Sequence, residues 1–243
     1  MNKILTFLFI LGTLSLQAQK KDFTWFDAGI KVQTGASGFY NKALSDSDLY
    51  DYEIGLTDAF SIGGKLGFNY GNNGLAVDVM FGRAKQRLEV SSLGQTNTNI
   101  EWNTLDVYAL YRNAKNLGYF EIGPKISFVN KVEKTGAEAQ GDIKSAFNGN
   151  FISGVIGFGA NLIGNDGRFS GILGLRFEYG LTDFVNKDTG LNTGAPVMDP
   201  RIYAADGYTS TAPIFAGVVF ELNWGIGGFG KAACGQRSKF IFF

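Results

Sequence analysis

The stretch Phe169–Leu181, FSGILGLRFEYGL, falls into two lists when every second residue is read. Phe169, Gly171, Leu173, Leu175, Phe177, Tyr179 and Leu181 are apolar or aromatic apart from one glycine, whereas Ser170, Ile172, Gly174, Arg176, Glu178 and Gly180 include an ion-pairing couple. Successive side chains of a β-strand point to opposite faces, so this period of two predicts a strand greased on one side and charged on the other.

The same period recurs along the chain. Phe26, Ala28, Ile30 and Val32 oppose Asp27, Gly29, Lys31 and Gln33; Phe60, Ile62, Leu66, Phe68 and Tyr70 oppose Ser61, Lys65 and Asn69. Leu75, Val77, Val79 and Phe81 oppose Ala76, Asp78 and Met80; Leu105, Val107, Ala109 and Tyr111 oppose Asp106, Tyr108, Leu110 and Arg112. Phe120, Ile122, Ile126 and Phe128 oppose Tyr119, Glu121, Lys125 and Ser127. Ile152, Ile156, Phe158 and Leu162 oppose Phe151, Ser153 and Asn161; Ile214, Val218, Phe220 and Trp224 oppose Phe215, Val219, Glu221 and Asn223. With the opening stretch these make eight segments. Arg83 falls in the apolar phase, which marks either the point where the third strand leaves the greasy zone or a bulge. Pro124 inside the fifth strand predicts an interrupted ladder, because proline donates no backbone hydrogen bond.

Connections alternate in length. Gly71–Gly74, Asn113–Gly118 and Ile163–Arg168 are short and carry the Gly, Asn and Asp that tight turns favour. The segments 34–59, 84–103, 130–150 and 182–212 are long and polar. A closed sheet that inverts the usual arrangement, with an apolar outer face and a polar inside, satisfies its backbone in lipid. Spanning strands need about 9–11 residues, with short turns on the periplasmic side and long loops outside. The pattern therefore predicts an all-β fold, a single eight-stranded antiparallel up-and-down transmembrane β-barrel over residues 19–225, with a tail at 226–243. Trp25, Tyr70, Tyr111, Tyr119 and Trp224 form an expected aromatic girdle near the short-turn rim. Lys31, Lys65, Arg112, Lys125 and Arg176 share the inner phase with Asp27, Asp78, Asp106, Glu121, Glu178 and Glu221, an expected interior charge network. The alternative is a soluble lipocalin-like barrel, with the apolar list inside and the charges in water; its small cavity would have to hold a great many Phe, Leu and Trp side chains.

The amino end supports export. Lys3 precedes a 13-residue apolar run, Ile4–Leu16, followed by Ala18. This reads as a signal peptide of residues 1–18, cleaved after Ala18, rather than as a spanning helix, which needs about 20 apolar residues. The 22 basic residues less Lys3 then face 22 acidic ones, and this near-neutral balance argues against nucleic acid as a partner. With one Cys, Cys234, no intrachain disulfide forms.

The pattern resembles the bacterial outer-membrane β-barrel family of the porin-family or PorT-like type, and the small eight-stranded barrels related to outer-membrane proteins A and X. The resemblance covers about residues 22–225 and rests on the signal peptide, the alternating segments, the loop alternation and the closing FELNW. It implies a bacterial outer-membrane location. Such proteins often end on an aromatic residue that aids assembly. Here Phe243 is terminal, yet the last strand is expected to close at Trp224, so Lys239–Phe243 is either part of a periplasmic extension or an extra pairing segment.

Catalytic chemistry is sparse. The chain contains no His, which removes His-dependent triads and His-ligated metals. Cys234 has no evident base beside it. Glu178 and Glu221 read as interior ion-pair members rather than an acid–base pair. Asp46, Asp48, Asp51 and Glu53 resemble calcium-loop spacing but lack the glycine of the sharp turn, so a solvated loop is expected. Gly225, Gly227 and Gly230 lack the strand–helix context of a dinucleotide fingerprint. No enzyme activity, cofactor or metal is expected. The expected partners are outer-membrane lipid and an envelope or surface protein met through the long loops, with Arg201, Tyr203 and Tyr208 as contact candidates. The expected role is structural, binding or envelope-accessory; a narrow solute channel and a soluble secreted ligand-binding barrel are the alternatives.

Overall fold

The structure is a computed structural model that describes residues 24–45, 54–55, 57–90, 96–115, 117–136, 141–165, 169–190, 208–230 and 239–242. The signal segment, the acidic cluster 46–53, Arg201, Tyr203 and Cys234 lie outside the described residues. Eight strands form the wall: β1 (Thr24–Tyr40), β2 (Thr57–Tyr70), β3 (Asn73–Val90), β4 (Thr96–Lys115), β5 (Gly118–Gly136), β6 (Asn150–Asn165), β7 (Phe169–Gly180) and β8 (Ala212–Gly230). Each pairs antiparallel with its sequence neighbour, and β1 pairs with β8 to close the ring. Closure leaves the backbone no open edge along the wall.

Burial follows the period of two. Lys31, Asp78, Glu121, Arg176 and Glu221 are fully buried inside the ring, while their strand neighbours Ile30, Val77, Val79, Ile122, Leu175, Phe177 and Phe220 are exposed on its outer face. The outward positions stay apolar from Leu75 to Phe81 on β3, from Leu105 to Tyr111 on β4 and from Phe120 to Phe128 on β5. They then switch to Arg83, Asn103 and Asn130, so an apolar belt ends at one level around this part of the wall. Arg83 pairs with Phe60 and Asn103 without a register shift, which decides for a strand leaving the belt and against a bulge.

Three segments expected as loops are strand in part, and 84–103 mostly so. β1 continues to Tyr40, β3 and β4 run through Val90 and from Thr96, and β5 reaches Gly136. The wall strands are 12 to 20 residues long, more than the roughly 9–11 that a bilayer requires, and the surplus extends the barrel on the long-loop side. Pro124 does interrupt one ladder. Pairing between β4 and β5 skips from Tyr108–Lys125 to Tyr111–Ile122, whereas β6 pairs with Pro124 without a break. Beside it, a Cβ on Gly123 would lie 2.0 Å from the Ala109 carbonyl oxygen, so the two backbones approach too closely there for any side chain. The last strand does not close at Trp224 but runs to Gly230, and a short strand β9 (Lys239–Phe242) pairs with its end, Gly227–Gly230. Of the two readings of the carboxy end, the extra pairing segment is therefore the one present.

The β2–β3 hairpin turns on two residues, Gly71 and Asn72, with Gly71 at φ 60°. A β-branched residue is strained at that dihedral, so Gly71→Val is expected to cost about 1–2 kcal/mol, read as a lowered urea midpoint of the refolded barrel.

Candidate functional site

The lumen is where the chain places its chemistry. Glu221 on β8 is the hub. Its carboxylate accepts hydrogen bonds from Lys65 Nζ at 2.7 Å, from Arg112 Nη1 and Nη2 at 2.7 and 2.8 Å and from Asn223 Nδ2 at 2.7 Å, with Lys31 Nζ at 3.1 Å. Lys31 also donates to Asp78, and Lys65 lies 3.4 Å from Asp27. Arg176 donates to Glu121 through Nη2 at 2.6 Å and Nε at 3.0 Å, and to Gln33 Oε1 through Nη1 at 3.1 Å. Arg112 joins Glu121 at 2.7 Å and thereby links the two halves of this cluster. Two aromatic faces support the guanidinium groups, Tyr119 under Arg112 at 4.4 Å and Tyr108 under Arg176 at 4.8 Å.

Towards the long-loop end a second, smaller cluster holds Lys125 against Glu178, with Asp106 3.9 Å from the same ammonium. Tyr108 donates its hydroxyl to Glu178 at 3.0 Å, and Gln33 bridges from Arg176 to Glu178. Beyond these charges the barrel is stoppered by aromatic rings. Phe39 stacks on Trp102 with centroids 4.5 Å apart, Phe184 lies 5.1 Å from Phe39 and 4.8 Å from Phe147, and Phe151 meets Phe184 edge-on. The connections bring these groups in: Phe147 bridges to Val185, and the Asp183 carboxylate accepts from the Thr211 N–H and the Tyr208 hydroxyl. At the short-turn end the lumen instead opens into a polar vestibule of about 130 Å³ lined by Trp25, Asp27, Lys65, Arg112, Tyr119 and Asn223, among others.

All nine residues of the expected charge network, Lys31, Lys65, Asp78, Asp106, Glu121, Lys125, Arg176, Glu178 and Glu221, face inward and are buried, together with Asp27 and Arg112. The girdle is corrected in part. Tyr70, Tyr111 and Trp224 are exposed on the outer face, but Tyr119 is 7% exposed inside and Trp25 lies on the inner phase at the vestibule. Strand phase overrides the preference of an aromatic ring for the interface: Tyr119 neighbours outward Phe120, and Trp25 neighbours Phe26. Tyr208 is engaged within its own connection rather than standing ready for a partner, since Lys187 Nζ also sits 5.2 Å over its ring. Gln33, Tyr108 and Tyr119 are network members that charge-spotting passes over; their place in the inner phase was the signal. Above the belt, Arg83 donates to Glu101 through Nη2 at 2.8 Å and through Nε, and these hydrogen bonds hold the Glu101 carboxyl below its ordinary pKa.

No family model matches the chain. No curated protein matches it either. Among solved structures, Neisserial surface protein A is 12% identical with a TM-score of 0.39, covering 80% of this chain and 95% of its own. The outer membrane protein OprG from Pseudomonas aeruginosa is 10% identical with a TM-score of 0.36, covering 87% and 99%. Ail, the attachment invasion locus protein of Yersinia pestis, is 11% identical with a TM-score of 0.34, covering 81% and 99%.

Removing one member of a buried charge cluster strands the others. Glu221→Ala is expected to cost about 3–5 kcal/mol, read from the urea unfolding midpoint, because Lys31, Lys65 and Arg112 all lose their shared acceptor. Truncating the stopper at Trp102→Ala is expected to cost a similar ~3–5 kcal/mol by the same measurement.

Proposed function

We propose that this protein is an integral barrel of the bacterial outer membrane with a closed lumen and a structural, binding or envelope-accessory role rather than a catalytic one. One observation carries the reading: the wall is inside out. Phe60, Leu66, Leu75, Phe81, Phe120, Phe177 and Phe220 are exposed, whereas Lys31, Asp78, Arg176 and Glu221 are sealed within. In water such an outer surface is a large aggregation liability, and in hydrocarbon it is solvated. A soluble ligand-binding barrel needs the apolar list inside, where this structure has ion pairs instead.

A solute channel is opposed by the same lumen. Eight strands leave an interior that side chains fill, and here charge clusters and the Phe39–Trp102–Phe184 stopper fill it. Purified protein in a planar bilayer is expected to stay silent; reproducible conductance steps would revive the channel. Interaction then falls to the outer end, with Arg201 and Tyr203 as contact residues for an envelope or surface protein. The PorT-like resemblance adds an accessory role in envelope traffic to this reading.

The direct test is membrane fractionation followed by gel migration with and without boiling. A detergent-extracted protein whose migration changes on heating is the expected result, and a soluble protein with no heat shift would sink the proposal. Val79→Arg, placed on the outer face in mid-belt, is expected to cost about 2–4 kcal/mol in lipid vesicles. Trimming 191–207 is expected to preserve the fold and abolish partner binding, whereas a deletion reaching Phe184 removes part of the stopper and unfolds the outer end.

A further inference from the structure

The outer face of the wall is not evenly filled. A groove of about 530 Å³ crosses it, within the roughly 300–1,000 Å³ range of ligand sites. Ile122, Ile156, Phe177, Ala216 and Ala36 line it from β5, β6, β7, β8 and β1, and each is the direct register partner of the next. Four strand spacings make this row about 19 Å long. The row runs obliquely up the barrel. Ile122 stands near the short-turn start of β5 at Gly118, whereas Ala36 stands near the long-loop end of β1 at Tyr40. Ile214, also in the lining, stands near the long-loop start of β8 at Ala212.

Small outward residues make the depression. Gly154 lies between its register partners Pro124 on β5 and Tyr179 on β7, and Ala216 faces Ala36 across the closing seam. Gly123 is bare because the Ala109 carbonyl crowds it, but Gly154 is not crowded. Among the described residues a Cβ there would meet only the Leu181 side chain, at 3.8 and 4.0 Å, which is ordinary contact. The protein itself does not use that room. Beneath the groove, the inner-phase Val155, Glu178 and Phe215 are buried, and the Glu178 carboxylate is held by Lys125 and Tyr108. The outward side chains give hydrocarbon walls with one polar atom, the Tyr179 hydroxyl. Tyr179 is exposed on the outer face, and that hydroxyl has no hydrogen-bond partner among the described residues. A hydroxyl in hydrocarbon without an acceptor is costly.

We propose that this groove seats one acyl chain of a bilayer lipid, entering from the leaflet on the long-loop side, and that the Tyr179 hydroxyl donates to the ester carbonyl of that chain. The proposal rests on the membrane reading above, under which the medium against the groove is hydrocarbon. One leaflet supplies a hydrocarbon depth of about 15 Å, half the bilayer core, so the row and a chain are of similar length. Gly154 and the two alanines provide the depth, Ile156 and Phe177 flank the chain, and Tyr179 fixes its upper end near the last residues of β7. The seated chain differs from bulk lipid in following one line across the wall.

The test uses the full barrel refolded into phosphatidylcholine vesicles that carry a small fraction of phosphatidylcholine with a photoactivatable diazirine on one acyl chain. After irradiation, peptide mapping compares Gly154, Ile156 and Phe177 with Leu66 and Val77, which are equally lipid-facing on β2 and β3. The expected result is a several-fold excess of cross-links at the groove. Gly154→Leu, which fills the groove from outside the lumen, is expected to remove that excess and leave Leu66 and Val77 unchanged. An ether-linked analogue, which has no carbonyl, is expected to give a smaller excess with the unaltered protein. With Tyr179→Phe the ester and ether lipids are expected to label alike. Equal labelling of both faces in a barrel that inserts and shifts on heating overturns the proposal and leaves the membrane reading standing. An excess that survives Gly154→Leu overturns it too, as does equal labelling by ester and ether lipids in the unaltered protein. A chain that never enters the vesicles fails the membrane reading and this proposal with it. Should Gly154→Leu fail to insert, Ala216→Phe fills the groove from β8 and is read in the same way.

Discussion

Burial of charge in a narrow closed ring is the constraint on which the rest of this structure depends. Once β1 pairs with β8, every second residue of eight strands points into a space that side chains fill. Long charged side chains then need partners within reach and volume to lie in. Inner-phase glycines supply the volume at particular points. A Cβ on Gly67 would fall 2.2 Å from Asp27 Oδ1, and one on Gly157 would fall 2.8 Å from the Glu121 side chain. Such positions are vacant because a neighbouring strand's carboxylate uses the room.

The two ends of the lumen are finished differently. At the short-turn end polar groups and the Trp25 and Tyr119 rings line a vestibule whose wall includes Asp27 and Lys65. At the other end apolar rings from β1, β4, β6 and two connections seal the mouth. The charged middle thus has a partly polar space on one side and apolar rings on the other. Arg83, Lys85, Glu101, Lys131 and Glu133, outside the belt, remain exposed or half-buried in water-facing pairs whose worth is small.

Much of this is legible in the sequence, for a specific reason. Where one face must be apolar, phase alone sorts the side chains, and the inward set from Lys31 to Glu221 followed from counting by twos. Strand ends are not legible, because beyond Phe81 and Phe128 the outer face turns polar while Ala84, Ile100, Trp102, Val129 and Val132 turn inward, so the greasy face changes sides although the ladder continues to Val90 and Gly136. Tyr119 and Trp25 depart from the expected girdle because strand phase outweighs residue type. The stopper was hidden because Phe39, Phe147 and Phe184 lie outside any alternating run and meet only when the connections fold inward.

The position of Glu221 has a consequence for how the chain comes together. Its three cationic partners lie on β1, β2 and β4, early in the sequence, while the carboxylate they share arrives on the last wall strand. Lys31, Lys65 and Arg112 therefore have no common acceptor in a half-built sheet. In a partly zipped ribbon Lys31 has Asp78, Lys65 has Asp27 and Arg112 has Glu121, but the carboxylate that ties the three pairs together is still missing. Arrival of β8 joins the three pairs through Glu221 and supplies the final seam in one event, so electrostatics and backbone pairing select the same complete ring.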